Sequence, residues 1–155
     1  MQYDIKLTLH YDYDASVAGG RHLIRVMPQT VDRLQRVVAA SLSFSPKPAE
    51  RSDFLDFFGN GVTSIAFADV HETLDVRMTA RVRVDRPPQG LDVSPEFDGM
   101  RAELGAALSL GPSSPHHFVA SSDHAGITPD ITTYAGESAE PGISISALAE
   151  RLCMR

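Results

Sequence analysis

The sequence predicts a mainly β fold, with an antiparallel β-sandwich-type domain at the N-terminus and short helices after it. Two segments with a strict two-residue alternation of apolar and polar side chains predict this, and an Asn-Gly pair between apolar runs supports it. Successive strand side chains point to opposite faces, so each alternating segment has one apolar and one wet face. Beyond Pro87-Pro88 helical spacing replaces the alternation. We therefore divide the chain into a β domain over 1–88 and a helical region over 89–155.

The first three strands are predicted before residue 46. Residues 3–13 alternate throughout, and their apolar set is Tyr3, Ile5, Leu7, Leu9, Tyr11 and Tyr13. A second strand is predicted over 22–27, where Pro28 ends it because proline cannot donate to the ladder. A third is predicted over 35–45, before Pro46-Lys47-Pro48.

A hairpin and one further strand complete the predicted β domain. The apolar runs 54–58 and 62–68 flank Gly59-Asn60-Gly61, and we expect Asn60-Gly61 to form the turn because both residues accept positive φ. Residues 73–84 alternate as clearly as the first strand. The apolar face of this strand is Leu74, Val76, Met78, Ala80, Val82 and Val84, and the opposite face carries Arg77, Arg81 and Arg83.

Three helices are predicted in the second part of the chain. Ser94-Pro95 and Thr128-Pro129 each combine an N-cap residue with proline at the first helical position, which predicts helices over 95–108 and 128–135. Ser144 is the expected N-cap of a last, amphipathic helix. Its apolar stripe is Ile145, Leu148, Ala149, Leu152 and Cys153. The stripe requires a partner surface, and no helix stop signal precedes Arg155, so we expect the parent sequence to continue.

Composition narrows the function classes. Hydrophobic residues make up 43% of the 155 residues, enough to fill a core, and the formal net charge is -6. A basic face is missing from this acidic chain, so we expect neither a nucleic-acid partner nor an anionic membrane surface. A single cysteine, the lack of a secretory signal and the lack of a long apolar run favour a soluble, cytoplasmic protein.

No motif in the sequence supplies a catalytic centre. Cys153 is the only thiol, but it lies near the C-terminal end of its helix, where the dipole disfavours a thiolate, and we interpret it as a small buried hydrophobe. His116, His117 and His124 leave open a metal-dependent enzyme as the third alternative, although adjacent histidines point apart on a regular element. We assign no catalytic, cofactor-binding or metal-ligating residue, and expect no cofactor.

Several segments together resemble a known family. They are the Tyr-rich strand 3–13, Gly20 to Pro28, Asp53 to Asn60, the strand 71–84, Ser94-Pro95, Ser114 to Phe118 and the final helix. In this order and spacing they resemble the N-terminal region of bacterial transglutaminase-like proteins. That family belongs to the superfamily of papain-like cysteine proteases and acyltransferases.

The resemblance implies an accessory role. It implies a β-sandwich-type domain over 1–88, and over 89–155 a helical linker and the truncated start of a papain-like core whose Cys-His-Asp triad lies further on. This chain is then not an enzyme by itself, and its partner is its own downstream core. A stand-alone protein-interaction module is the alternative. A homodimer through the last helix is the other expected partner arrangement.

Overall fold

Six strands form two antiparallel sheets in the first of the two units into which the chain divides, Met1–Pro88 and Gln89–Arg155. The computed structural model describes residues 1–85 and 90–155. One sheet contains, in spatial order, β1 (Gln2–Val17), β6 (His71–Val84) and β3 (Gln35–Ser45). The other contains β2 (Arg21–Ile24), β5 (Gly61–Ala66) and β4 (Glu50–Leu55). The predicted mainly β, antiparallel fold is confirmed, and Pro87-Pro88 lies outside the described residues.

The central strand β6 alternates between core and solvent along its length. Leu74 and Val76 are each 1% exposed, whereas Arg81 and Arg83 on the other face are exposed. The strand pairs with β1 on one edge and with β3 on the other. This is the face assignment that the sequence pattern predicted.

Both sheets contribute to one hydrophobic core. Its buried members are Leu42, Ile65, Phe67, Leu74, Val76, Met78 and Ala80. Leu7 and Leu9 of β1 and Ile24 of β2 are half-buried against this cluster. Burying each large aliphatic side chain contributes about 1.5–3 kcal/mol. The shared core therefore holds the two sheets together.

The strand predicted over 22–27 is too long. β2 ends at Ile24, and the next residue, Arg25, leaves the ladder to donate its Nε to Asp56 Oδ2 at 3.1 Å. Val26 and Met27 still pack against the core, although they follow the strand. Their apolar character therefore reflects packing against the core and not strand pairing.

The second unit contains three short α-helices, α1 (Met100–Ala106), α2 (Pro129–Gly136) and α3 (Ile145–Met154). Two 3-10 helices, Phe97–Gly99 and Pro115–His117, lie between or before them. The predicted caps of the later two helices are confirmed. The Thr128 side chain accepts the N–H of Ile131 at 3.4 Å, and that of Ser144 accepts the N–H of Ala147 at 3.2 Å.

The helix predicted from Pro95 is wrong in its first turn. Residues 95–97 instead run antiparallel to 143–145, with Pro95 C=O accepting the Ile145 N–H at 2.9 Å and Glu96 bridged to Ser144. The Ser94 hydroxyl, expected to cap its own helix, accepts the N–H of Ser146 at 3.1 Å. This pairing needs extended backbone, so helical structure begins only after Glu96.

One carboxylate joins the two segments that pair in this way. Hydrogen bonds from the hydroxyl of Ser144 and from the hydroxyl and N–H of Ser94 lower the pKa of Asp92 to about 2. At the other end of α3, Arg151 donates to Ser138 C=O at 3.1 Å and forms an ion pair with Glu140 at 2.8 Å. Polar contacts therefore hold α3 at both ends.

Within residues 1–85 and 90–155, no helix combines the length and the apolar character that crossing a bilayer requires.

Replacing a core valine of β6 should destabilise the protein far more than replacing an exposed valine of the same sheet. We expect Val76→Ala to lower the free energy of unfolding by about 2 kcal/mol, because it removes two buried methyl groups from a packed site. Val38→Ala in β3, where the side chain is 54% exposed, is the matched control and should change it by less than about 0.5 kcal/mol. Urea denaturation measures both, and equal effects would contradict the core described above.

Candidate docking surface

The hairpin between β4 and β5 ends in a loop built around the carboxylate of Asp56. Its Oδ1 accepts the backbone N–H groups of Phe58 at 3.0 Å and Asn60 at 2.9 Å. Its Oδ2 accepts hydrogen bonds from Asn60 Nδ2 at 3.2 Å and from Arg25 Nε at 3.1 Å. The Asp56 N–H also donates to Asn60 C=O, and the Gly59 N–H donates to Asp56 C=O. These bonds close a three-residue hairpin loop whose last residue, Gly59, has a φ of 81°.

The expected turn at Asn60-Gly61 is therefore wrong. Positive φ falls on Gly59, while Gly61 is the first residue of β5 and pairs with Leu55. The apolar run 54–58 is divided between β4, which ends at Leu55, and this loop. Aspartate is favoured at the first position of a type I turn because its side chain binds backbone N–H groups two residues on. Asp56 was thus the signal for the loop.

The loop keeps its central acceptor ionised at neutral pH. Burial raises the pKa of Asp56, but the hydrogen bonds from Asn60, Arg25 and Phe58 outweigh burial and hold that pKa below its ordinary value of 3.8. The side chain of Gln29 adds a further hydrogen bond to Gly59 C=O. Several independent contacts therefore define one loop conformation.

The end of β4 and this loop present exposed apolar side chains, which we call the tip: Phe54 and Leu55 in β4, and Phe57 and Phe58 in the loop. Leu55 is 70% exposed, and the three phenylalanines are each about half exposed. The rings of Phe57 and Phe58 pack edge to face, with centroids 5.1 Å apart. Exposed apolar groups that are close together mark interaction sites, and a rigid loop loses little conformational entropy on binding.

An open groove adjoins the tip. Its volume is about 440 Å³, and it is lined by Met27, Arg51, Asp53, Phe54, Leu55, Gly61, Val62 and Thr63. Phe54 and Leu55 belong to both the groove and the tip. The tip and the groove therefore form one continuous, mainly apolar surface.

A polar network holds the edge strand β4 beside this groove. Asp53 accepts hydrogen bonds from the Thr63 hydroxyl in β5 and from Arg51 Nε, and these bonds lower the pKa of Asp53. Arg51 Nη1 also donates to Leu42 C=O in β3 at 3.0 Å, and its guanidinium lies 5.7 Å from the centre of the Phe44 ring. Arg51 thereby connects the two sheets and positions the groove.

Comparison with protein families identifies the β unit. Residues 3–83 match the model of the family described as the bacterial transglutaminase-like N-terminal region. The chain belongs to this family. The match runs from β1 almost to the end of β6, includes the tip, and stops before the second unit. Neither the comparison with curated proteins nor the comparison with solved structures gives a match.

The match confirms the family resemblance that the sequence indicated. It describes an N-terminal region and not a catalytic domain. Ser94-Pro95, Ser114 to Phe118 and the last helix, which also contributed to the resemblance, lie outside the matched residues.

Cys153 is exposed, so its interpretation as a small buried hydrophobe is wrong. At 3.6 residues per turn, Cys153 lies about 140° around α3 from Leu148, whereas Leu152 lies only about 40° from Leu148. Leu148 is buried and Leu152 half-buried, in agreement with this geometry. The buried side of α3 is therefore narrower than the predicted stripe.

Two of the three histidines of the metal alternative have main-chain partners. A carbonyl oxygen only accepts, so His116 Nε2 donates to Ala107 C=O at 2.7 Å, and His117 Nε2 donates to Leu110 C=O at 3.1 Å. His124 follows in a separate tight turn closed by Ser122 and Ala125. In the part of the chain that the structure describes, no three histidine, cysteine or carboxylate side chains form a metal-binding group.

The arginine row of β6 is matched by carboxylates. Arg81 forms two hydrogen bonds with Asp4, at 2.6 and 2.9 Å, and these bonds raise the pKa of Arg81. Arg77 pairs with Asp75 at 3.0 Å, and Arg83 pairs with Asp85 at 3.1 Å. The three arginines of this row therefore form ion pairs with carboxylates of the same unit. Sequence reasoning did not find the Asp75 contact with His10, because it joins residues 65 positions apart.

The loop geometry predicts that Gly59 and Gly61 differ in their tolerance of a side chain. We expect Gly59→Ala to lower the free energy of unfolding by about 1–2 kcal/mol, because alanine is strained at positive φ. Gly61→Ala is the matched control. Its φ is not positive and its nearest new neighbour is Gln29 Nε2 at 4.0 Å, so we expect a change below about 0.5 kcal/mol. Thermal unfolding compares the stability of the two variants. A larger loss of stability in Gly61→Ala than in Gly59→Ala would show that the turn is placed wrongly.

Proposed function

We propose that the chain is a non-catalytic N-terminal accessory part of a bacterial transglutaminase-like protein, which supports the catalytic core or shapes substrate access to it. The observation that carries this proposal is the family match over residues 3–83. In the parent, a cysteine thiolate of a Cys-His-Asp core would attack an amide carbonyl, and an amine or water would resolve the acyl-enzyme. The single cysteine fits a reducing, cytoplasmic location.

The tip is the surface that we assign to the contact with this core. It is apolar, it is continuous with a groove, and its loop is held by the Asp56 hydrogen bonds in the isolated chain. Docking the tip would therefore bury apolar area without first ordering the loop. The partner is the downstream catalytic core of the same protein.

The second unit supports the same proposal. In residues 90–155, Leu148 is the one hydrophobic side chain that is buried. Leu91, Val93 and Leu108 are each more than 90% exposed. A domain with its own core buries such side chains, so we propose that this unit is a helical linker and the start of the papain-like core.

Two alternatives use other observations. The exposed tip also suits a stand-alone interaction module, whose partner would be another protein. A second copy could pair through α3, but Leu148 is already buried within the chain, which leaves half-buried Ile145 and Leu152 as the apolar surface. Light scattering across a concentration series detects such a dimer. We place the downstream core first because the family is defined as an N-terminal region.

The chain by itself should show no acyl transfer. We expect neither amine incorporation into a glutamine-containing protein nor peptide hydrolysis, because the matched family is an N-terminal region and not a catalytic domain, and the one thiol of the chain lies at the end of α3. Wild-type protein and Cys153→Ala are assayed side by side. Activity that the wild type has and Cys153→Ala lacks would contradict the accessory role.

An apolar-to-acidic change on the tip should weaken binding of the downstream core. With the catalytic core of the proposed parent protein expressed as a separate chain, we expect Leu55→Asp to weaken binding tenfold or more, roughly the effect of losing a central apolar contact. Calorimetry measures the affinity. Val70→Asp, at a position 64% exposed in the same unit, is the control and should bind as the wild type does. Equal binding by all three proteins would exclude the tip as the docking surface, and a partner other than the core would favour the stand-alone module.

A further inference from the structure

On the polar face of the first sheet, His10 lies between two carboxylates. Its Nδ1 is 2.6 Å from Asp75 Oδ1 in β6, and its Nε2 is 3.1 Å from Asp12 Oδ1 in β1. A carboxylate only accepts hydrogen bonds, so both contacts are satisfied only when both ring nitrogens carry protons. The geometry is therefore that of an imidazolium held by two anions.

The cluster lies at the end of the regular pairing between β1 and β6. His10 is opposite Asp75 and Asp12 is opposite Thr73, but the next paired residue of β1 is Val17, opposite His71. Residues 13–16 of β1 thus lie across from Glu72 alone and form an irregular bulge of four residues against one. His10 is the last cross-strand ionic contact before this irregular segment.

The segment beyond the cluster covers a buried histidine. The Tyr13 ring meets the His71 ring edge-on, with centroids 5.6 Å apart, and Phe67 lies on it at 4.5 Å. His71 is 8% exposed, and its Nδ1 donates to Asp69 C=O at 3.2 Å. Its Nε2 is buried without a hydrogen-bond partner among the described residues. Loosening of residues 11–17 would let water reach this nitrogen.

We propose that His10 is a pH-dependent clasp, which holds the end of β1 on β6 while the imidazole is protonated and loosens that end when the proton leaves. A neutral imidazole has one N–H, so one of its nitrogens would then turn a lone pair toward a carboxylate. The strand end would lose one hydrogen bond and gain a repulsive contact. The bulge next to the clasp offers few ladder bonds to compensate for this loss.

The charges around His10 set the direction of the pH dependence. The hydrogen bond that His10 donates to Asp75, and then the charge of Asp12, hold the pKa of His10 above its ordinary value of 6.5. Arg77 lies on Asp75, and on the far side of β6 the β3 residues opposite this pair are Ser43 and Ser45, which add no charge. Because the pKa of His10 is higher in the folded protein than in the unfolded one, the clasp is fully stabilising at pH values below the unfolded-state pKa. That stabilisation is lost as the pH rises through the folded-state pKa.

Amide hydrogen exchange of residues 11–17 tests the clasp in the full chain. After correction for the intrinsic pH dependence of exchange, we expect protection to fall about two- to fivefold between roughly pH 5.5 and roughly pH 9, the range in which a histidine with a raised pKa loses its proton. His10→Gln should show the lower protection at both values. His10→Lys, which keeps the positive charge, should show no comparable fall.

Arg81→Gln is the control, because it removes the ion pair with Asp4 from the same two strands and should leave the pH dependence in place. The midpoint of the His10 titration, followed by NMR, gives a second measurement, and Asp12→Asn should lower it. The proposal is overturned if wild-type protection is the same at both pH values, if His10→Gln keeps the wild-type pH dependence, or if the His10 midpoint in Asp12→Asn does not move.

Discussion

Strand β6 pairs on both edges and presents an apolar side chain to the core at every second position. A slip of one residue against either neighbour would turn Arg77 and Arg81 toward the core and expose Leu74 and Val76. The same slip would separate Arg81 from Asp4 across the strand pair. Hydrophobic burial and charge pairing therefore specify one register, and the core shared with the second sheet depends on it.

The hairpin loop depends on this register only indirectly, because its own contacts define it. Asp56 binds backbone groups within the loop and also Arg25, which lies just after β2. The loop, which joins β4 to β5, is thereby also tied to β2, the third strand of its sheet. A mobile loop would lose conformational entropy when its apolar side chains bind a partner, whereas this loop already has one conformation. This is the physical basis for assigning the tip a docking role.

Local patterns predicted β6, β3 and the caps of α2 and α3, because alternation and N-cap chemistry act over a few residues. The missed features depend on partners far along the chain. Pro95 is held extended by Ile145, and His10 meets Asp75, contacts that no local pattern contains. The proposed function rests on the family resemblance over several segments, because composition and spacing by themselves indicate only a β-rich domain with helices.

The tip and the clasp respond differently to pH. Asp56 has a pKa below 3.8, so the loop keeps its central acceptor throughout the range in which histidines titrate. The end of β1 relies instead on a group whose proton leaves above 6.5. The clasp residues belong to the first sheet, whereas the tip lies at the β4–β5 hairpin of the second sheet. If both proposals hold, mild alkaline conditions loosen one end of β1 while the docking surface keeps its conformation, so the two roles can be measured separately in the same chain.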